Sequence, residues 1–285
     1  MDRRQRLIEI FDDTQRFYAQ NAALAKALQD ARKATKLYEA DDYPAITKQA
    51  DLEGTVAVSK HKTFEAAMLI HKEHPDWKIT VLNFASATNP GGGVKTGSSA
   101  QEESLCRCST LYPTLNQNWL WQCYYQKNRD AQNNLHTDAC IYSPGVVICK
   151  NDDSFPERMD ESDWATVDVI SCAAPNLRRR PGNVHNPEYG RTVSISDDGL
   201  YQLHLKRAMH IMHIAASNGV DAMILGAFGC GAFANDPIIV SRAYRDAIAD
   251  YKQFFHVIEF AVYCHEDETE NYDAFSAGIT RYPEM

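Results

Sequence analysis

The chain has 285 residues, of which 44% are hydrophobic and 24% charged, so it can bury a sizeable globular core and is not an intrinsically disordered chain. A net charge of −9 excludes a protein that tracks nucleic acid through a general positive field; an anionic ligand must instead be held by backbone N–H nests, helix N-termini or single arginines. Charges interrupt the first 30 residues, no apolar run approaches about 18 residues and the eight cysteines form no paired framework, so the sequence predicts no secretory signal, no transmembrane helix and reduced thiols in a cytoplasmic setting.

Leu7, Phe11, Thr14 and Tyr18 recur at helical spacing and an alanine-rich stretch follows, which predicts helix over residues 3–38 until Asp41-Asp42-Tyr43-Pro44 breaks it. Thr55 to Ser59 reads as a short strand. Thr63 to His74 reads as a helix with Phe64, Ala67, Met68 and His71 on one face, stopped by Pro75. Lys78 to Ala85 has few polar positions, as in a strand covered on both faces. A glycine loop at 89–93 leads to a helix from about Ser99 to Tyr112. Further strands are predicted at 139–149, 165–173, 221–225 and 257–263. Between them lie helices at 200–218, with Leu203, Ala208, Ile211 and Ile214 as its apolar set, and at 237–254. The alternation implies an α/β fold with a mixed sheet flanked by helices. Residues 1–75 read as a helical accessory segment, an N-terminal extension packed on a core of residues 76–285, because no Gly/Ser/Pro linker separates them.

Two segments carry the chemistry. In the first, a buried strand ending at Ala85 delivers Asn89-Pro90-Gly91-Gly92-Gly93, and a helix opening with Gln101-Glu102-Glu103 follows. Glycines let backbone approach a ligand, and loops at strand C-termini are where α/β sheets bind ligands. The plainer reading of Ser99-Ala100-Gln101-Glu102 is a capping box, which accounts for Glu102 but not for three glycines fed by a strand. In the second, Ala222 to Leu225 feeds Gly226-Ala227-Phe228-Gly229-Cys230-Gly231-Ala232-Phe233, and Asp236-Pro237 reads as N-cap and first residue of a helix. Such a loop presents N–H groups to a diphosphate, with Phe228 and Phe233 in position to stack on a base or pack on a ribose. Neither segment is a Walker loop or a dinucleotide fingerprint, which disfavours a nucleotide-binding oxidoreductase.

The run from Asn83-Phe84-Ala85-Ser86-Ala87 through Asn89-Pro90-Gly91-Gly92-Gly93 to Gln101-Glu102-Glu103 resembles the signature of poly(ADP-ribose) glycohydrolases. The likeness continues through Ser104 to Tyr112, and Ile141-Tyr142-Ser143-Pro144, Ala173-Ala174-Pro175-Asn176 and Leu225 to Gly231 are similar to the microbial branch. The resemblance implies a macrodomain-like fold and hydrolysis of ribose–ribose O-glycosidic bonds, with ADP-ribose as product. It implies that Glu103 is the catalytic acid and base and that Glu102 orients the ribose at the scissile bond. Asn89, Gly91, Gly92, Gly93 and Gln101 then frame that ribose, and Gly229, Gly231, Ala232 and Phe233 hold the diphosphate. The implied partners are poly(ADP-ribose) or ADP-ribosylated proteins, with no membrane and no sequence-specific nucleic acid. The alternatives are a mono-ADP-ribosyl hydrolase and a non-catalytic ADP-ribose-binding module. No cofactor or metal is expected: the pairs His71/His74 and His210/His213 lack a third ligand at zinc spacing, and Cys106 and Cys108 lie two apart. The tract Arg178-Arg179-Arg180-Pro181-Gly182-Asn183-Val184-His185-Asn186 matches no functional element; it reads first as a solvated loop, and second as arginines that meet phosphates of a polymer.

Overall fold

The computed structural model describes residues 2–182 and 192–280. The elements run α1 (Arg3–Gln20), α2 (Ala22–Ala34), β1 (Lys36–Tyr38), β2 (Thr55–Ser59), α3 (Thr63–Glu73), β3 (Ile79–Phe84), α4 (Gln101–Cys108), α5 (Leu111–Leu115), α6 (Asn118–Leu120), α7 (Gln126–Ala131), β4 (Cys140–Ile148), β5 (Ala165–Cys172), α8 (Asp197–Ser217), β6 (Ala222–Leu225), α9 (Pro237–Tyr251), β7 (Val257–Ala261) and α10 (Glu270–Thr280). No helix among the described residues is long and apolar enough to cross a membrane.

The strands form one sheet in the order β1-β4-β5-β3-β6-β7-β2. The run from β5 to β2 is parallel, while β4 lies antiparallel to β5 and β1 antiparallel to β4. Period-2 alternation divides the central strands between two apolar layers. Ile79 and Val81 of β3, Val167 and Val169 of β5 and Ile224 of β6 face one layer, with Phe64 of α3 and Leu105 of α4. Leu82, Ile170, Met223 and Leu225 face the other, with α8, α9 and α10. Because β3, β5 and β6 are parallel neighbours, the loops that follow them all leave the same end of the sheet.

The expected single helix over 3–38 is two helices and a strand. Asn21 is extended and its side chain accepts from the Leu24 N–H at 3.0 Å, so it ends α1 and caps α2. The first 75 residues, read as a helical segment with one strand at 55–59, supply both edge strands: β2 at that place and β1, which was not expected. Three-residue β1 is too short to show alternation, so its polar start read as helix. The buried face of α3 runs through Ala66, Ala67 and Ile70, leaving Met68 and His71 at its margin. In α8 the buried face passes through His204, Arg207 and His210 rather than Leu203. The helix expected from Ser99 to Tyr112 starts at Gln101 and stops at Cys108, because Ser109 becomes extended and bridges Ile148 of β4. Helices α5, α6, α7 and α10 had no expectation attached to them.

Helix α1 docks through Leu7 and Phe11, at most 3% exposed and each contributing roughly 1.5–3 kcal/mol by burial. It is also pinned by polar groups. Thr14 Oγ1 donates to the Arg107 carbonyl at 2.6 Å. Lys150, 2% exposed, donates to the Ile10 carbonyl at 3.0 Å and pairs with Asp13 at 2.9 Å, and Arg158 grips the same carboxylate at 2.6 and 3.0 Å. Desolvation pushes the Asp13 carboxyl up, but the hydrogen bonds from Arg158 and Lys150 outweigh it and hold it at about 2, below its ordinary 3.8. Asp13→Asn therefore leaves the buried Lys150 ammonium without its counter-charge, and a loss of roughly 1–3 kcal/mol is expected by urea denaturation at pH 7. A depressed carboxyl stabilises the fold above its unfolded value, so the gap between wild type and variant should close as pH falls from about 4 to about 2. A gap that persists unchanged at the acid end would show that the charge of Asp13 contributes nothing.

Candidate active site

Strand β3 decides which side chains reach the site. Its alternation puts Asn83 on the α4 side, and the register pairs Asn83 with Ser171 of β5. Asn83 Nδ2 donates to Ser171 Oγ at 2.9 Å and, at 3.4 Å, to Glu102 Oε1, while its Oδ1 is buried without a partner. Beyond β3 the chain turns through Gly91, Gly92 and Gly93 and returns to the start of α4.

Gln101, Glu102 and Glu103 each grip a different part of that loop. Gln101 Oε1 accepts from the Phe84 N–H at 2.9 Å, and its Nε2 donates to the Leu82 carbonyl at 2.7 Å and Thr63 Oγ1 at 3.1 Å. Its amide thus ties the start of α4 to the end of β3 and to α3. Glu102, 3% exposed, accepts from the Ser86 N–H at 2.8 Å and from the Gly91 N–H at 3.2 Å. It does not serve a capping box: the N-cap is Ala100, with no side-chain cap. Burial pushes the Glu102 carboxyl well above the ordinary glutamate range and the charge of Glu103 adds to this; the N–H donors of Ser86, Asn83 and Gly91 pull the other way. Glu103, 7% exposed, accepts from the Gly93 N–H at 2.8 Å through Oε1. Among the described residues its Oε2 takes no hydrogen bond. Gly92 has φ +55°, and a Cβ there would lie 2.5 Å from Glu103 Oε1 and 3.0 Å from Glu102 Oε2. A side chain at this position would occupy the space in front of both carboxyls.

Asn89 is half-buried at the far side of the loop. Its amide oxygen takes a short hydrogen bond from Arg129 of α7, whose Nε donates to the Thr88 carbonyl at 2.9 Å. The guanidinium also lies 4.8 Å over the Trp121 ring. Arg129 had no signal in sequence.

The loop after β6 stands against the first one. A Cβ on Gly226 would meet Phe84 Cζ at 2.9 Å, and Phe84 packs edge-on to Phe228 at 5.6 Å. Phe228 is fully buried, also against His204, so it has no exposed face for a base; the apolar core takes it because β6 delivers it beneath the sheet's end. Phe233 is half-buried, and Gly231 and Ala232 are exposed. The backbone N–H groups of Gly231, Ala232 and Phe233 donate to nothing among the described residues. Successive backbone donors left open in this way are the groups from which anion-binding nests are built. Gly229, at φ +81°, makes the turn that exposes them, and a Cβ there would lie 2.7 Å from Ala174.

A buried polar cluster fixes this second loop. Asn235, 3% exposed, donates to the carbonyls of Pro175, Gly229 and Phe233 at 2.7, 3.0 and 3.2 Å, and its oxygen lies 2.8 Å from His204 Nε2. Burial lowers His204 to about 4, so the ring is neutral near pH 7 and its Nε2–H donates to Asn235. Arg207, fully buried, donates to Asp138 at 2.9 Å, to the Ala173 carbonyl at 2.7 Å and to the Leu135 carbonyl at 3.1 Å. The segments after β5 and β6 and the one before β4 are thereby tied together.

Three of the four histidines weighed as metal ligands make other contacts. His74 stacks on Trp77 at 3.7 Å, His210 lies within 2.8 and 3.0 Å of the Asp138 and Asp42 carbonyls, and His213 lies 2.7 Å from the Pro44 carbonyl. Among the described residues no group of three His, Cys, Asp or Glu is placed to hold a metal ion. Of the arginine tract, 178–182 is described and 183–186 lies outside the described residues.

Residues 6–151, just over half of the chain, match the family described as microbial-type PARG, catalytic domain. No curated protein matches. Among solved structures, the chain is similar to poly(ADP-ribose) glycohydrolase from Thermomonospora curvata bound to the inhibitor ADP-HPD, with 28% identity over 96% of this chain and 99% of that one and a TM-score of 0.79. It is also similar to poly(ADP-ribose) glycohydrolase from Deinococcus radiodurans in complex with ADP-ribose, with 30% identity over 88% of this chain and 96% of that one and a TM-score of 0.73. The mixed α/β sheet flanked by helices is thus the macrodomain-like fold that the sequence implied.

Gly92→Ala should fold but lose stability by roughly 1–3 kcal/mol, because the new methyl forces the loop away from both carboxyls. Thermal denaturation reads the loss, and a crystal structure should show Glu103 displaced from the Gly93 N–H. Unchanged stability with Glu103 still on Gly93 would overturn this account of the loop.

Proposed function

Because the chain belongs to the family of microbial-type poly(ADP-ribose) glycohydrolases, a family of glycosidases, we propose that Glu103 is the group through which it hydrolyses the ribose–ribose O-glycosidic bonds of poly(ADP-ribose). One observation carries the role of Glu103. Its carboxyl is anchored through one oxygen on the Gly93 N–H, while the other takes no hydrogen bond among the described residues. An anchored carboxyl with one open oxygen is oriented for proton transfer.

Scission of the glycosidic C–O bond passes through an oxocarbenium-like state. The Glu103 carboxyl hands its proton to the departing ribose oxygen. The carboxylate left behind takes a proton from water as the water oxygen bonds to the anomeric carbon, which restores the acid and releases ADP-ribose. Glu102 acts beside it, holding the loop through Ser86 and Gly91 and so orienting the ribose at the scissile bond. Asn89, Gly91, Gly92 and Gly93 frame that ribose. Gly229, Gly231, Ala232 and Phe233 receive the diphosphate, the open N–H groups of the last three supporting this reading. The substrates are poly(ADP-ribose) chains, free or on ADP-ribosylated proteins. All eight cysteines are free thiols, five of them buried, which supports a reducing, cytoplasmic setting.

Glu103→Gln keeps the shape of the side chain and removes its acid. ADP-ribose release from poly(ADP-ribose), read by chromatography, should fall at least ~10²-fold while ADP-ribose still binds by calorimetry. A loss below about tenfold would remove Glu103 from the acid role. No release by wild type, with ADP-ribose bound, would turn the assignment to a mono-ADP-ribosyl hydrolase or a binding module.

A further inference from the structure

The arginine tract after β5 is left unused by the reaction just described. Residues 173–182 contain Arg178, Arg179 and Arg180 and no acid, in a chain of net charge −9. The tract is built onto the diphosphate loop. The Leu177 N–H donates to the Phe233 carbonyl at 2.9 Å. Asn235, at the end of that loop, donates to the Pro175 carbonyl at 2.7 Å. Arg178 is committed to this joint: its Nε donates to Asn176 Oδ1 at 3.1 Å, its Nη2 to the Pro181 carbonyl at 2.7 Å, and its guanidinium lies 5.7 Å over the Phe233 ring. Arg179 and Arg180, the next two residues, are exposed, and among the described residues neither makes an ion pair.

An acidic protein repels a polyanion, so a polymeric substrate needs local positive charge where it leaves the site. The diphosphate of the unit being cut is already matched by the open N–H groups of Gly231, Ala232 and Phe233, which carry no net charge. The geometry points to Arg179 and Arg180 as a second phosphate site, which binds the diphosphate of a neighbouring ADP-ribose unit and so makes the enzyme prefer polymer over a single unit. The inference rests on the glycohydrolase reading above. Arginine suits the task because its planar fork takes phosphate oxygens bidentately and never loses its charge. Arg178 and the Leu177 N–H fix the start of the tract, so the backbone that carries the next two arginines is held beside the diphosphate loop.

The test compares Arg179→Ala/Arg180→Ala with the charge-keeping Arg179→Lys/Arg180→Lys, each in the Glu103→Gln background so that polymer is bound but not consumed. Affinity for poly(ADP-ribose) should fall about tenfold in the alanine variant, and the slope of log affinity against log salt should shrink by roughly 1–2. The lysine variant should retain most of both, and ADP-ribose affinity should stay within about twofold in all three. Polymer affinity and salt slope unchanged by alanine would overturn the second site. So would an equal loss for ADP-ribose, which would put the arginines on the unit being cut. So would equal competition by single-stranded DNA of matched charge, which would make the tract a general polyanion surface. Release of ADP-ribose by the chain without these substitutions is measured alongside; its absence would sink the glycohydrolase reading, while the binding comparison still decides the arginine site.

Discussion

Three consecutive side chains at the start of α4 hold the glycine loop in place, and the rest of the site depends on that grip. Gln101 takes the last hydrogen-bonding positions of β3, Glu102 takes the N–H groups of Ser86 and Gly91, and Glu103 takes that of Gly93. Successive residues at the first turn of a helix point in different directions, which lets one tripeptide reach three points of a loop. A loop of glycines would otherwise be costly to order, since each loses more backbone freedom than other residues. The carboxyls offset that cost by accepting hydrogen bonds from the backbone N–H groups of Ser86, Gly91 and Gly93. Loop order and acid placement are therefore one interaction seen from two sides.

The loop after β6 is ordered differently. Among the described residues no carboxylate holds its N–H groups; Asn235 and Arg207 hold its carbonyls and those of its neighbours. The carbonyls of this region are satisfied by those side-chain donors, while the N–H groups of Gly231, Ala232 and Phe233 donate to nothing among the described residues. One loop thus exposes an acid and the other exposes N–H groups, as a glycosidic bond beside a diphosphate requires. Neutral His204 contributes a donor to this cluster without adding a second positive charge beside buried Arg207.

Sequence revealed the fold wherever a long period or a strong punctuation mark existed. The buried run of β3, the Asp236-Pro237 start of α9 and the Leu7-Phe11-Thr14-Tyr18 face of α1 were all readable. Helices α5, α6 and α7 were not, because they are short and joined by a π-helical stretch at Trp121–Tyr125 that spoils the 3.6-residue period. In the site, the carboxyls and both glycine loops were legible as motifs. Their supports were less so. Asn83 was legible as the first residue of the signature and not as a support of Glu102, and Arg129, His204, Arg207 and Asn235 lie 26 to 132 positions beyond Glu103 along the chain. Long-range polar pairing leaves no local signature. Phe228 shows the same gap: its place among glycines suggested exposure, and only the position of β6 beneath the loop decides that it is core.

Charge closes the argument. With 38 acids against 29 bases, the chain opposes the approach of any phosphate-bearing ligand at long range. Screening limits that repulsion to about 8 Å at physiological salt, so what decides binding is the charge met within that distance. Around the site the protein presents backbone dipoles at Gly231 to Phe233 and, one loop away, two exposed arginines that make no ion pair among the described residues. A single ADP-ribose can be satisfied by the dipoles alone. A chain of such units carries a diphosphate in every repeat and gains from each fixed cation it meets. The bases near the first loop are engaged elsewhere, Arg129 on Asn89 and Thr88 and Lys95 over the Tyr112 ring. Discrimination between one unit and many therefore falls to the tract that β5 delivers, and the acidity of the remainder sharpens it by discouraging attachment anywhere else.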